Sequence, residues 1–266
     1  MMSRASASTE ADLELAATLT SLRQASERWV RRERARIRVP SGVGEIDALL
    51  GGGWPQGKVG ELVGSASSGR TAVAAATMAS ATTRGEVVAW IDAADAFDPG
   101  SVAGAGVRLD RVLWVRSGGI EEAVRSAELV LETGGFTVVV LDLGAEVRTA
   151  PQRLWGSRPR PQWGGRPRPL QGKPALTLRL ARAVERAGAV ALVLTERSWA
   201  GTLAGATVAL ERGQAQWRGN EHGGPRWLAG IALRVRADRG GVTHVARLPS
   251  AVVVASVGAR PAAEPA

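Results

Sequence analysis

The chain has 266 residues, 45% hydrophobic and 22% charged, which is ample material for a core and excludes global disorder. It has no cysteine, so a disulfide scaffold, thiolate metal sites and a cysteine nucleophile are excluded. The net charge of +9 is concentrated in two patches: Arg28 to Arg38 holds six arginines against Glu33, and Arg148 to Lys173 holds seven basic residues and no acid. Patches of this kind suit nucleic acid or an acidic protein surface, with solvated charge as the simpler reading. His222 and His244 lie far apart and make a poor zinc pair. Apolar runs such as Ala189 to Leu194 are far short of the ~20 residues of a membrane span, and the N-terminus lacks a signal-peptide core. These features predict a soluble cytoplasmic protein with no membrane partner.

In chain order, the first residues are small and polar, and an amphipathic helix is expected from Ala11. It places Leu15, Leu19, Leu22, Ala25 and Trp29 on one face and runs into the arginine-rich stretch. Pro40, Ser41 and Gly42 end it. A short helix Gly44 to Leu50 leads into GGGWPQG, a turn by composition. Then come strand Lys58 to Val63, the turn GSASSG, and a helix from Arg70 to about Thr82. Strand Glu86 to Asp92, a small helix after Pro99 and strand Arg111 to Val115 follow. The next helix carries Ile120, Val124, Ala127 and Leu131 on one face, ahead of strand Phe136 to Asp142. That strand is apolar almost throughout, as one covered on both faces should be. A helix with Leu176, Leu180, Ala183 and Ala187 and strand Val190 to Thr195 complete the alternation. Ala206 to Arg212, Leu228 to Ala237 and Gly241 to Leu248 read as strands joined by hairpin-like turns. The fold class expected is α/β, a mostly parallel sheet flanked by helices and finished by antiparallel strands. Residues 1–39 form a tail and basic helix, 40–255 a core with an insertion at 148–173, and 256–266 a disordered tail.

The insertion RTAPQRLWGSRPRPQWGGRPRPLQGK has five prolines and almost no aliphatic residue, so it is not core material. It follows the C-terminal end of a parallel strand, where open α/β sheets place functional loops. Arg148, Arg153, Arg158, Arg160, Arg166, Arg168 and Lys173 supply charge for phosphates, and Trp155 and Trp163 supply rings for base stacking; a solvated linker is the simpler alternative. Deleting the insertion is expected to weaken single-stranded DNA binding and flatten its salt dependence, whose log–log slope is about −0.7 per phosphate neutralised. A salt titration compares the two proteins, and an unchanged slope would reduce the insertion to a linker.

Gly64-Ser-Ala-Ser-Ser-Gly69-Arg70-Thr71 matches the phosphate-loop pattern GxxxxGK[ST] except at the lysine, and it sits between a strand and a helix as that motif requires. Backbone N–H groups would cradle phosphate, and Thr71 would ligate magnesium. Arg70 brings a planar fork where a compact ammonium is expected. VVVLD ends in Asp142, placed to help hold magnesium. Gly64, Gly69, Arg70, Thr71 and Asp142 are thus a degenerate nucleotide site. No cofactor is assigned to it, and weak ATP–magnesium binding is left open.

These motifs, together with SGVGEIDALLGGGWPQG, WIDAADAFDP and AGVRLDRVLWVR, occur in an order that resembles the RecA-like recombinases from Ser41 to Asp142. Within that superfamily the chain looks most like the ImuA family, RecA-like accessory proteins of damage-induced mutagenesis. The resemblance implies a RecA-like P-loop fold. It also implies a catalytic glutamate where this chain has Ala94, and a glutamine sensor where it has Glu196. Asp95, one residue along, is a poor substitute base because it should point to the other face. The second DNA-facing loop is cut to about Glu196 to Gly205, and the first corresponds to the basic insertion. The expectation is therefore a pseudo-ATPase with no catalytic residues. As the resemblance implies, its partners would be RecA, an ImuB-type Y-family polymerase-like adaptor, an error-prone C-family DNA polymerase and single-stranded DNA. Leu15, Leu19, Leu22 and Trp29 form the expected protein interface, against the plainer reading that they pack on their own domain. Two other readings compete: an active DNA-dependent ATPase or recombinase, and a SulA-like cell-division inhibitor. Trp54, Trp90 and Trp114 are expected in the core.

Overall fold

The computed structural model describes residues 17–22, 24, 37–144, 174–219, 226–239 and 242–248. β1 (Arg38–Val39) pairs antiparallel with β2 (Trp54–Pro55) to make a separate two-stranded sheet. Composition pointed to a turn over the whole of GGGWPQG and to helix approaching Pro40, so this pairing is a correction. Its cause is Trp54, which is fully buried; a chain carrying that side chain inward must bond its own backbone groups, and Val39 offers them. Between the two strands lies α1 (Gly44–Leu50), closed by Gly51 in the left-handed conformation at φ 69°.

The main sheet has eight strands. They are β3 (Lys58–Val63), β4 (Val87–Asp92), β5 (Val112–Arg116), β6 (Phe136–Asp142), β7 (Val190–Thr195), β8 (Ala204–Gly219), β9 (Arg226–Arg239) and β10 (Val242–Leu248). Their order is β10-β9-β8-β3-β7-β6-β4-β5. Every pair from β5 to β8 is parallel, and β9 and β10 are antiparallel additions at one edge. β8 and β9 run well beyond the lengths legible from hydrophobic patterning, because each continues as the other's hydrogen-bonding partner from Thr207↔Asp238 to Gly219↔Arg226.

Helices cover both faces. α2 (Arg70–Thr83) follows β3 and α3 (Pro99–Gly104) follows β4. α4 (Ile120–Thr133) follows β5, and α5 (Pro174–Ala187) precedes β7. β6 shows why the sheet reads as continuous apolar sequence. Val138 and Val140 enter one core with Trp54, Val73, Met78 and Trp90, while Val139 and Leu141 enter the other with Val124, Leu131, Leu180 and Val184. α2 is buried on most of its circumference, which its run of alanines and threonines permits: Ala74, Ala75, Thr77, Met78, Ala81 and Thr82 are all inside. Trp54 and Trp90 are fully buried as expected, whereas Trp114 is only partly buried and packs against Phe97 in a tilted arrangement, ring centroids 5.1 Å apart. α3 is started by Asp98, which accepts from Gly100 N at 3.2 Å and Ser101 N at 3.0 Å ahead of Pro99 in the first turn.

No described helix is long and apolar enough to cross a membrane. Residues 17–22 and Gln24 are helical, and Leu19 and Leu22 are 55% and 60% exposed. Leu15, Trp29 and the whole insertion from Arg148 to Lys173 lie outside the described residues.

Candidate functional site

The C-terminal ends of β3, β4, β6 and β7 lie side by side, because the parallel register sets Asp92 opposite Asp142 and Asp142 opposite Leu194. The chain leaves β3 at Gly64, whose N–H donates to the Thr195 carbonyl at 3.1 Å, and turns into α2 through residues 65–69. Two residues make the turn with left-handed backbone, Ser67 at φ 62° and Gly69 at φ 97°. Gly69 is also the N-cap, and no side chain caps the helix, so its first-turn amides open towards the loop. Glycine is required at 64 for space and at 69 for both space and conformation. A Cβ at Gly64 would run into Ser68 Oγ and the Leu210 carbonyl, and one at Gly69 would come within 2.6 Å of Leu233 Cδ1. β8 and β9 therefore pack directly behind the loop.

Of the residues proposed for a nucleotide, Gly64, Gly69, Arg70 and Asp142 are gathered at this end of the sheet, with Thr71 exposed in the first turn of α2. Arg70 is partly buried, and its Nη1 is shielded from solvent with no hydrogen-bond partner. Burial draws its proton affinity below the usual arginine range, and the charges of Asp142 and then Glu196 oppose that shift. Asp142 is 7% exposed, and burial raises its carboxyl above the ordinary range. A hydrogen bond from Gly144 N at 3.0 Å and the charge of Arg70 pull it back, while Asp92 adds to the rise. Asp92 itself is committed to structure: its two oxygens accept from Ala96 N at 3.1 Å and Phe97 N at 3.0 Å.

Ala94 stands where the resembled pattern carries its base. Its Cβ lies 3.0 Å from the point a Cβ on Gly144 would occupy, so Ala94, two residues past the end of β4, sits beside Gly144, two residues past Asp142. Asp95 does not replace it. Its side chain is 84% exposed and faces Arg116 at 3.6 Å, and Arg116 lies over the Trp114 ring at 4.3 Å. Glu196 leaves β7 half-buried, and its charge acts on Arg70.

Sequence reasoning missed Glu61. It lies in the middle of β3, fully buried, and accepts from Trp199 N and Ala200 N at 2.6 Å each, Thr207 Oγ1 at 2.8 Å and Ser198 Oγ at 3.0 Å. Four donors from β8 and from the segment after β7 thus converge on one carboxylate. The signal was present: an acid inside KVGELV, a strand apolar from Val59 to Val63 apart from it and covered on both faces, has to be met by donors. The short segment between β7 and β8 is consequently clamped to the sheet, with a 3₁₀ turn at Gly201–Leu203.

Comparison with known proteins agrees with this arrangement. The RecA N-terminal domain family matches residues 28–153. The protein RecA of Lactobacillus delbrueckii subsp. bulgaricus is 38% identical over 105 residues, covering 39% of this chain and 32% of that protein. RecA of Nocardioides sp. is also 38% identical over 105 residues, covering 39% of this chain and 30% of its own length. The chain thus spans about a third of the curated relatives it matches. Among solved structures, the RadB recombinase superposes with a TM-score of 0.56 at 17% identity, covering 81% of this chain and 98% of that one. Residues 28–153 are thus similar in sequence to the RecA N-terminal domain, and the chain shares its fold with the RadB recombinase.

Proposed function

We propose that this chain is a non-catalytic RecA-like accessory protein of damage-induced, translesion mutagenesis, of the ImuA kind. It acts by contacts with RecA, an ImuB-type adaptor and an error-prone polymerase, with single-stranded DNA as a further ligand. The observation that carries the reading is the pairing of Arg70 and Ala94 at one end of the sheet. Arg70 stands where the resembled loop holds lysine, and Ala94, beside Gly144, offers no group that can accept a proton. The clamped segment from Glu196 to Leu203 adds support, since a short, bonded connection replaces the long second DNA-facing loop of the resembled pattern. The matched relatives are RecA proteins, so an active DNA-dependent ATPase is the reading to test against.

Loss of a positioned general base costs about 10²–10⁴-fold in rate. Phosphate release from ATP with single-stranded DNA is therefore expected to fall at least about a hundredfold below a RecA assayed beside it. Arg70→Lys alone should not restore it, because Ala94 remains. DNA-stimulated turnover that disappears on Asp142→Ala would establish the ATPase reading instead. Affinity capture from DNA-damaged cells should recover the adaptor and the polymerase; recovery of cell-division proteins would favour the SulA-like alternative.

A further inference from the structure

The two longest strands outrun their neighbours. β3 pairs with β8 only as far as Val63↔Ala209, and β10 pairs with β9 only between Arg239 and Leu233. Beyond those points, among the described residues, β8 and β9 have only each other, up to Gly219↔Arg226. At about 3.3 Å per residue, 210–219 and their partners make a two-stranded arm roughly 30 Å long. The register slips twice along it, between Arg212 and Ala215 and between Gln216 and Trp217, and such bulges bend a ribbon away from the line of its sheet.

β8 runs parallel to β3, so the arm leaves at the C-terminal end of the sheet. Its base adjoins the loop of residues 64–69: the Leu210 carbonyl lies 2.5 Å from the point a Cβ on Gly64 would occupy, and Leu233 stands against Gly69. The basic insertion is anchored at the same end, between Gly144 after β6 and Pro174 at the start of α5.

The outer part of the arm reads QWRG on β8 and RWL on β9, and the register sets Arg218 opposite Trp227 and Trp217 opposite Leu228. From Leu210 to Arg234 four arginines stand against Glu211 and Glu221. Glu211 is engaged at the base, where Arg234 Nη1 lies 3.2 Å from its Oε2. The charges that remain are Arg212, Arg218, Arg226 and Glu221, with two indoles among them. Cations interleaved with aromatic rings suit a flexible strand of phosphates whose bases have free faces. A duplex offers the phosphates but not the faces, because its bases are already stacked on one another.

We propose that the β8–β9 arm is a binding site for single-stranded DNA, in which Arg212, Arg218 and Arg226 meet phosphates and Trp217 and Trp227 stack on bases. The inference rests on the single-stranded DNA ligand of the reading above, but its test is binding and involves neither turnover nor partner capture.

The experiment is fluorescence anisotropy of a labelled oligothymidylate titrated with the full chain over a range of salt. Arg218→Gln with Arg226→Gln should weaken binding and reduce the log–log salt slope by about 1.4, at about 0.7 for each of two phosphates. Trp227→Ala should weaken binding roughly 5- to 150-fold at unchanged slope, the range for one stacked base. Both effects should persist when residues 148–173 are deleted, and Trp227→Ala should have no effect on binding to a duplex. Wild-type binding that neither variant changes would overturn the proposal and leave the ligand to the insertion. Absence of binding by wild type would remove the ligand from the reading as well, and an equal loss on duplex would overturn the assignment to single strands. Urea unfolding checks each variant; should Trp227→Ala fail to fold, the arginine pair decides alone, and an unchanged slope there overturns the proposal.

Discussion

Replacing Glu61 by alanine is expected to destabilise the fold by about 3–5 kcal/mol, the range for removing one side of a buried charged interaction. The reason lies with the donors left behind. Trp199 N, Ala200 N, Ser198 Oγ and Thr207 Oγ1 all point at the lost carboxylate, and each buried donor without an acceptor costs about 1–3 kcal/mol. The total falls below four such penalties, because water can enter the space vacated and the connection after β7 can relax. Urea unfolding should show a lower midpoint at unchanged slope. Amide exchange at Trp199 and Ala200 should accelerate ahead of the β3 core. Glu61→Gln keeps the volume and some acceptor capacity and should fall between the two. A stability loss under about 1 kcal/mol for the alanine variant would mean that the donors find other partners.

Trp54→Ala is expected to cost a similar amount, about 3–5 kcal/mol, but through packing. The indole is fully buried at the centre of the core shared by α1, α2 and β3. Its Nε1–H donates to Thr77 Oγ1 at 3.3 Å, and that hydroxyl in turn lies 3.1 Å from the Ser41 carbonyl. The ring also explains Gly60, since a Cβ there would sit 2.7 Å from Trp54 Cε3 and 2.8 Å from Leu192 Cδ2. Gly60→Ala in the wild-type background should therefore cost about 1–3 kcal/mol by overpacking. In the Trp54→Ala background it should cost less, because one of the two obstructions has gone. A double-mutant cycle measured by urea unfolding reads the coupling, and additivity would show that the backbone moves rather than the ring.

The site divides between what one strand reveals and what several strands reveal together. The phosphate-like loop was legible because its glycines, its position between strand and helix and its departure at Arg70 are all local. Asp142 was legible as the polar end of an apolar strand. That Arg70, Asp142, Glu196 and Ala94 share one end of the sheet followed from the resemblance; the geometry now rests on the register of β4, β6 and β7. Glu61 was illegible because its four donors come from residues 198–207, well over a hundred positions away in the chain. The β1–β2 pair was missed for the same kind of reason: two residues per strand leave no periodicity to read, and a buried indole decides the pairing.

Sequence alone determined the alternation of strand and helix. Strand Phe136 to Asp142 and strand Val190 to Thr195 stand where their apolar runs placed them, because burial on both faces demands nearly continuous hydrophobic residues, and strand Lys58 to Val63 stands where expected although Glu61 interrupts it. It also determined the chemical character of the loop, since Arg70 and Ala94 are facts of composition at positions a motif locates. Tertiary structure decided the strand order, the length of β8 and β9, and the way the connection after β7 is clamped to Glu61. Those are matters of which backbone groups and which buried charges find partners, and hydrogen bonds between segments distant in the chain leave no period in the sequence.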